Sequence, residues 1–187
     1  MKIWPGHTTY KERMDVMRTM IPAPFKHPGK ALYVGAHGGR FEASNEIFQS
    51  GNEITVLEIW PHAIEELKAV PRFAKRITHY VLGDVRQVDR VDLPHDTFDY
   101  VFWLHGPEHV LWREGLDTIP KLEALAMHTV ILSCPWGYTA HGFRENPHNK
   151  HVSYWLPDDF ARLGYKTACL GPKWTHGGQL LAWREVE

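Results

Sequence analysis

The amino-acid sequence predicts an α/β protein with a doubly wound, mainly parallel sheet of seven strands and a C-terminal antiparallel hairpin. Three observations predict this fold class. Short apolar runs alternate with segments of helical periodicity along the chain. The runs are largely apolar, which is typical of parallel strands covered by helices on both faces. The last two runs flank a Gly/Pro turn with no helix between them, as in a hairpin.

The predicted strands are short runs rich in apolar and β-branched residues. They cover residues 30–34, 53–59, 79–82, 98–104, 129–133, 166–170 and 179–184. A glycine-rich turn at 35–39 follows the first run, and Gly83-Asp84 follows the third. Such turns end a strand and lead into the next connection.

The predicted helices lie between these strands. They cover residues 7–21, 41–49, 61–70, 116–127 and 158–163. In the first helix, apolar side chains recur at spacings of four, three and four residues, at Tyr10, Met14, Met17 and Ile21. Pro61 suits the first turn of the third helix, and Gly51 and Gly164 follow the ends of two others as stop signals.

Composition excludes several classes of protein. Lys and Arg number 21 against 22 Asp and Glu, so the net charge of −1 gives no reason to expect a nucleic-acid partner. Cys134 and Cys169 are too few for a disulfide framework. No apolar run approaches the ~20 residues that span a bilayer, and residues 1–5 do not form a secretion signal. We therefore expect a cytoplasmic protein without a membrane partner.

The length of 187 residues predicts one domain, since an average domain has roughly 150. We expect residues 30–187 to form its core and residues 1–28 to form an N-terminal lid or cap. Met14 and Met17 also suit the simpler role of packing on the core.

The ends of the predicted strands indicate where a ligand would bind. Ligands of doubly wound sheets bind beyond the carboxyl ends of the strands, near the point where the strand order reverses. This rule selects the following segments: 35–39, Glu58, Asp84, 104–109 and 134–137.

Three of these strand ends carry chemistry that suits a nucleoside. Glycines in the 35–39 turn leave no Cβ to block a ligand. Glu58 comes 19 residues after Gly39, close to the ~20-residue interval at which an acidic residue meets a ribose. Asp84 can accept from an adenine amino group, while Ile59 and Trp60 pack on the base. Each acid alone also suits a solvated strand end or a turn.

Taken in order, these stretches resemble the class I S-adenosylmethionine-dependent methyltransferases. Gly35 and Gly39 match the outer glycines of the family's first motif. Glu58 matches the acid that binds ribose, and Asp84 matches the acid beside adenine.

The resemblance continues to the C-terminus and covers residues 30–187. Residues 98–110 resemble the family's fourth motif, including the pair Glu108-His109. Residues 133–137 and 155–165 resemble the end of its fifth strand and its late helix. The order of these matches is more specific than any one of them.

The resemblance implies a Rossmann-like fold, S-adenosylmethionine as cofactor and methyl transfer to a small-molecule acceptor. The residues it implies for the cofactor are Gly35, Ala36, His37, Gly39, Glu58, Ile59, Trp60, Gly83, Asp84, Val85 and Leu104. Two departures keep a second interpretation open. Tyr33 stands where the family has an acid, and His37 replaces its middle glycine. The alternative is a catalytically degenerate methyltransferase fold used as a binding or partner module.

Histidines are unusually frequent, at 13 of 187 residues. His105, His109 and His151 are the candidate catalytic bases, because imidazole titrates near neutral pH and these residues fall near the expected methyl donor. His141 and His148 lie on the same loop as His151. A structural role remains open for each of them.

Metal and nicotinamide chemistry fit the sequence less well. His105 and His109 are four residues apart, a spacing that suits a shared metal on one helix face. Gly106-Pro107 interrupts such a helix, and no third ligand is evident, so no metal site is predicted. A nicotinamide-binding turn would need glycine at His37 and Arg40. Cys134 fits a small buried hydrophobe better than a nucleophile.

Overall fold

A computed structural model describes residues 2–4, 10–37, 47–137, 139, 146–173 and 178–186. These residues form one sheet with helices on both faces. The strands are β1 (Lys2–Trp4), β2 (Lys30–Val34), β3 (Glu53–Glu58), β4 (Ile77–Leu82), β5 (Phe98–Leu104), β6 (Ala126–Pro135), β7 (Lys166–Leu170) and β8 (Gln179–Glu185). Their spatial order is β1-β7-β8-β6-β5-β2-β3-β4.

The predicted fold class is confirmed. All seven expected strands are present, and β8 pairs antiparallel with both β6 and β7, as the hairpin prediction requires. The other pairs are parallel. An eighth strand, β1, adds to the edge by pairing with residues 168–170 of β7. Its three residues carry no periodic pattern, so only this pairing defines it.

Helices connect the strands. They are α1 (Tyr10–Met20), α2 (Ala23–Lys26), α3 (Pro61–Ala69), α4 (Pro71–Ala74), α5 (Trp112–Leu125) and α6 (Pro157–Arg162). The predicted helix 41–49 lies largely outside the described residues, although Ile47 and Phe48 are helical and buried. Among the described residues, no helix has the length and apolar character needed to cross a membrane.

The helix predicted at 116–127 begins and ends earlier than expected. The Glu114 carboxylate accepts the backbone N–H of Leu111 at 2.9 Å and so satisfies a donor at the start of α5. The helix ends at Leu125 because Ala126 already pairs with Phe98 of β5. The local cap and the long-range strand pairing therefore set the two boundaries.

Two apolar clusters cover the two faces of the sheet. Met14, Met17 and Ile21 pack in one of them with Tyr33 of β2, so α1 contributes to the core. Ile119 of α5 packs in the other. The packing role of the two methionines is confirmed, while the lid role of residues 1–28 stays a prediction.

The strand order reverses between β2 and β5. The chain proceeds from β2 through β3 to β4 on one side, and from β5 to β6 on the other. A crevice forms beyond the carboxyl ends of strands at such a reversal. Gly35 and His105 are the residues that follow the two central strands.

Candidate functional site

A cavity of about 250 Å³ opens beyond the carboxyl ends of β2, β3, β4 and β5. The cavity is lined by Val34, Gly35, His37, Leu57, Glu58, Ile59, Gly83, Asp84, Val85, Arg86, Trp103, His105, Gly106, His109, Val110, Asn146, Pro147, His148, Asn149, Lys150 and Val152. Four strand ends and the segment that begins at Asn146 therefore build one site.

Glu58 is the last residue of β3, and its side chain is held by backbone donors. One carboxylate oxygen, Oε2, accepts the N–H of His37 at 3.0 Å. The other, Oε1, accepts the N–H groups of Ile59 at 2.9 Å and Trp60 at 3.1 Å. The side chain is thus fixed at the cavity wall by three bonds, and a carboxylate has about four acceptor positions.

The environment of Glu58 also changes its acidity. The residue is only 4% exposed. Burial raises the pKa of its carboxyl above the ordinary value, while the three backbone hydrogen bonds and the nearby His148 act in the opposite direction. The group is therefore a hydrogen-bond acceptor whose proton is retained to a higher pH than that of an exposed glutamate.

The turn after β2 has an unusual backbone. Gly35 has φ +71°, and none of the described atoms lies within 4 Å of the position that a Cβ would occupy. His37 has φ +43°, a left-handed conformation that glycine adopts more easily. Its Nδ1 lies 3.3 Å from Nδ2 of Asn146, and its ring stacks on Trp60. The turn keeps a glycine-like conformation with an imidazole on it.

Asp84 forms the wall at the end of β4, and Arg86 engages its carboxylate. The guanidinium donates from Nε and Nη2 to Asp84, and Nη2 lies 2.6 Å from Oδ2. Partial burial raises the pKa of the Asp84 carboxyl, but the hydrogen bonds and charge of Arg86 outweigh it, so the pKa lies below its ordinary value. Arg86 also contacts Glu114 of α5 at 3.0 Å, so both residues are fixed at the rim.

The predicted cofactor residues separate into those at the cavity and those beside it. Seven line it, namely Gly35, His37, Glu58, Ile59, Gly83, Asp84 and Val85. Ala36 and Leu104 are buried in the core, and Trp60 is half-buried and stacks on His37. Gly39 and the loop residue His141 lie outside the described residues. The roles of all these residues stay predictions.

The predicted catalytic histidines surround one buried carboxylate, that of Glu108. From its Oε1, the distances are 3.6 Å to Nδ1 of His105, 3.9 Å to Nε2 of His109 and 4.0 Å to Nε2 of His151. Burial raises the pKa of the Glu108 carboxyl, but the imidazoles of His105 and His109 outweigh it, so the pKa lies below the ordinary value. His105 and His109 also line the cavity.

Backbone and side-chain bonds hold this cluster together. The carbonyl of Glu108 accepts the N–H groups of Val152 at 2.9 Å and Ser153 at 3.2 Å. The carbonyl of Pro107 accepts the indole N–H of Trp155 at 3.1 Å. Trp155 is fully buried and stacks on Phe160 of α6. Residues 151–155 are therefore fixed against 107–108, which places His151 opposite His109.

Several site residues have no clear sequence signal. Arg86 lines the cavity and hydrogen-bonds to Asp84 through its long, flexible side chain. Asn146 contacts His37, which is 109 residues away in the sequence. Glu108 has a signal, since histidines stand three residues before it and one after it. Cys134 is buried, and burial raises the pKa of its thiol well above the ordinary value, as expected for an inert hydrophobe.

Comparison with known proteins identifies the fold. No protein-family model matches the sequence, and no curated protein matches it. Among solved structures, the magnesium protoporphyrin IX methyltransferase of Synechocystis PCC 6803, with bound S-adenosylmethionine, has a TM-score of 0.64 at 16% identity. That match covers 95% of this chain and 80% of the other.

Two further structures show the same likeness. The PH0226 protein of Pyrococcus horikoshii OT3 has a TM-score of 0.65 at 15% identity, over 98% of this chain and 95% of the other. An S-adenosylmethionine-dependent methyltransferase of Archaeoglobus fulgidus has a TM-score of 0.56 at 18% identity, over 84% and 70%. Similarity at these identities establishes the fold alone, and it is the class I methyltransferase fold.

Proposed function

We propose that this chain, which has the class I methyltransferase fold, is an S-adenosylmethionine-dependent methyltransferase acting on a small-molecule acceptor. The observation that carries the proposal is the position of Glu58 at the end of β3. Its carboxylate is fixed at the cavity wall by three backbone donors and has acceptor capacity left for a ribose hydroxyl.

The residues around Glu58 fit the proposed cofactor. Gly35 offers open space where a Cβ would point, so backbone and ligand can approach closely. Ile59 and Val85 supply apolar surface for a purine, and Asp84 lies on the same wall. S-adenosylmethionine, when bound, supplies a methyl group on an electrophilic sulfonium. The chain then needs to hold donor and acceptor in line and to exclude water.

His105 is the proposed acceptor of the proton that an attacking hydroxyl or amine loses. It follows β5 directly and lines the cavity. Its φ of +50° is strained for a residue with a side chain, and such strain is often found at functional sites. One ring nitrogen faces Glu108 at 3.6 Å, and the other lies 3.5 Å from Nε2 of Gln179. His109 and His151 are proposed to support this site from the other side of Glu108.

Calorimetric titration with S-adenosylhomocysteine tests the proposal. We expect the wild-type protein to bind with a dissociation constant in the micromolar range, and Glu58→Ala to abolish the heat of binding. Glu65→Ala is the matched control, because Glu65 is an exposed carboxylate on α3. Circular dichroism must show that each variant is folded. Absence of binding by the wild-type protein contradicts the proposal, as does unchanged binding by Glu58→Ala.

The degenerate binding module remains a second candidate, and one observation favours it. Tyr33 stands at the position of the family's first acid, and its ring is 1% exposed, packed edge-on against Phe48 and Phe102. No carboxylate is available at that position for the methionine end of the cofactor. This candidate requires that the wild-type protein fails to bind S-adenosylhomocysteine and that His37→Gly gains affinity. Micromolar binding by the wild-type protein contradicts it.

A further inference from the structure

Glu108 is a buried carboxylate without a hydrogen bond. Its residue is 2% exposed, and among the described residues neither Oε1 nor Oε2 has a hydrogen-bond partner. An ionised carboxylate loses its hydration when it is buried, and this loss must be compensated by nearby positive charge or hydrogen bonds. Native proteins avoid this cost by pairing such a group or by binding a metal ion. The groups nearest to Oε1 are the imidazoles of His105, His109 and His151, at 3.6, 3.9 and 4.0 Å, and none of them is within hydrogen-bond distance.

The surrounding imidazoles face Glu108 with lone pairs when they are neutral. Nδ1 of His151 lies 2.6 Å from the carbonyl oxygen of Thr139, and Nδ1 of His109 lies 3.2 Å from the carbonyl oxygen of Lys150. A carbonyl only accepts, so both Nδ1 atoms carry the proton in these bonds. In the neutral ring, each Nε2 then presents its lone pair toward Glu108.

The distances suit a shared cation better than direct bonds. Glu108 Oε1 is 3.9 Å from Nε2 of His109 and 4.0 Å from Nε2 of His151, too far for hydrogen bonds. One donor atom from each of these three residues lies within 4.8 Å of the other two. Two ligands of one Zn²⁺ ion, each about 2.0–2.2 Å from it, lie at most about 4 Å apart. Small side-chain movements would bring all three into coordination distance.

We propose that Glu108, His109 and His151 bind a divalent first-row transition-metal ion, with zinc as the reference case. Two imidazoles and one carboxylate match the donor set of three-ligand zinc sites that keep a position open. The bonds from Nδ1 to Thr139 and Lys150 are the outer-shell contacts that orient metal-bound histidines. From the sequence, His105 and His109 lacked a third ligand. Glu108 lies between these two histidines in the sequence, and the fold brings His151 to it from 42 residues beyond His109.

A second cluster of similar composition provides a contrast. Glu53, His79 and His95 also lie within 4.8 Å of one another, at the amino end of the sheet. There, Glu53 is exposed and already accepts from His95 at 3.0 Å, so its charge is satisfied by water and an imidazole. Glu108 is buried, and its nearest imidazole nitrogen lies 3.6 Å away, beyond hydrogen-bond distance. The proposed site is therefore distinguished by a buried carboxylate without a hydrogen bond and not by the number of histidines.

Metal binding at this site does not depend on methyltransferase activity. The role of the bound ion does depend on it. His109 lines the cavity, so an open coordination position at the ion would be reachable by an acceptor bound there. A metal ion lowers the pKa of an oxygen bound to it and orients it. Resting on the proposed function, we assign to this ion the binding of a hydroxyl-bearing acceptor. His105 is outside the three-residue group and is not one of the proposed ligands.

Cobalt(II) is the probe for the first test, because its visible absorption reports ligand number. The full-length protein is treated with a chelator, dialysed and titrated with Co²⁺, without any nucleoside. We expect saturation at one ion per chain and displacement by Zn²⁺. Glu108→Gln and His109→Ala should each weaken binding on the order of 100-fold or more, since even an outer-shell change costs about 10–100-fold. His79→Ala, in the contrasting cluster, should leave the titration unchanged.

The outcomes separate this proposal from the proposed function. No saturable absorption with the wild-type protein overturns the metal site, as does equal loss of binding in His79→Ala. If Glu108→Gln fails to fold, His109→Ala decides the matter alone. His109 lies at 18% side-chain exposure, so its truncation leaves no large buried cavity. S-adenosylhomocysteine binding is measured separately on metal-free protein, so either result can fail without the other.

Discussion

Oε2 of Glu58 accepts the backbone N–H of His37 at 3.0 Å, and this bond ties the end of β3 to the turn after β2. The two elements are neighbours in the sheet, paired through residues 30–34 and 53–57. The same carboxylate is the proposed ribose ligand. The residue that would recognise the cofactor therefore also shapes the turn that would contact it.

Replacing Glu58 by glutamine should weaken both binding and folding. The amide keeps the size of the side chain but puts an NH₂ group where one oxygen now accepts a backbone N–H. We expect the free energy of unfolding to fall by about 1–3 kcal/mol, the range for an unsatisfied buried group. Affinity for S-adenosylhomocysteine should fall at least about tenfold, in line with the loss of a hydrogen bond to a charged group. Chemical denaturation and calorimetry measure the two effects, with Glu65→Gln as control.

Cofactor affinity should depend on pH through Glu58. Burial raises its pKa, and protonation of the carboxylate removes acceptor capacity that the ionised form has left for a ribose hydroxyl. Affinity for S-adenosylhomocysteine is therefore expected to be highest above that raised pKa and to fall as the pH drops through it. The charge of His148 acts on the Glu58 carboxyl, so the profile must be measured in His148→Gln as well. A profile that stays flat down to the ordinary pKa of a glutamate contradicts the assignment.

The contribution of Glu58 to the free energy of unfolding should change with pH in the direction opposite to cofactor affinity. Because its pKa is higher in the folded protein than in the unfolded chain, folding favours the protonated form. The stabilisation is present below the ordinary carboxyl pKa and is lost as the pH rises through the folded-state value. Because glutamine does not titrate, the stability deficit of Glu58→Gln relative to the wild-type protein, measured from denaturation midpoints, should grow as the pH falls through this window. Parallel curves contradict the expectation.

Arg86 should control the acidity of Asp84. Its guanidinium forms the hydrogen bonds that keep the pKa of that carboxyl low. In Arg86→Gln the pKa of Asp84 should rise toward or above its ordinary value, since partial burial then acts with less opposition. Nuclear magnetic resonance titration of the Asp84 carboxyl measures the change. An unchanged value would mean that Arg86 does not hold the carboxylate in solution.

The left-handed backbone at His37 should favour glycine over alanine. A side chain at φ +43° costs about 1–2 kcal/mol, while glycine carries no such penalty but gains entropy in the unfolded chain. We expect His37→Gly to change the free energy of unfolding by less than about 1 kcal/mol and His37→Ala to be less stable than His37→Gly. Denaturant titration of both variants measures the difference. Equal stability of the two would contradict the left-handed conformation.

Local patterns predicted most of the sheet. The runs at 30–34, 98–104 and 166–170 coincide with strands because their residues are apolar and bounded by turn residues. The edge strand Lys2–Trp4 was not predictable in this way, since three residues carry no periodicity and only the pairing with β7 forms the strand. The extension of β6 to Pro135 likewise depends on its long-range pairing with Gln179.

The site residues at the ends of strands could be predicted from the sequence. The contacts made by loop residues could not. Glu58 and Asp84 were expected from their positions after strands, and both line the cavity. The convergence of His109 and His151 on Glu108 depends on backbone bonds between residues 107–108 and 152–155. Such contacts join segments that are more than 40 residues apart, and no sequence pattern encodes the distance between them.

A crystal structure of the protein with S-adenosylhomocysteine tests most directly whether Glu58 binds the ribose of the cofactor. We expect the ribose hydroxyls within hydrogen-bond distance of the Glu58 carboxylate, and the adenine between Ile59 and Val85 beside Asp84. The sulfur should point toward His105. S-adenosylhomocysteine bound away from Glu58 would contradict this assignment. A cavity that remains empty at a millimolar concentration of S-adenosylhomocysteine would also contradict it.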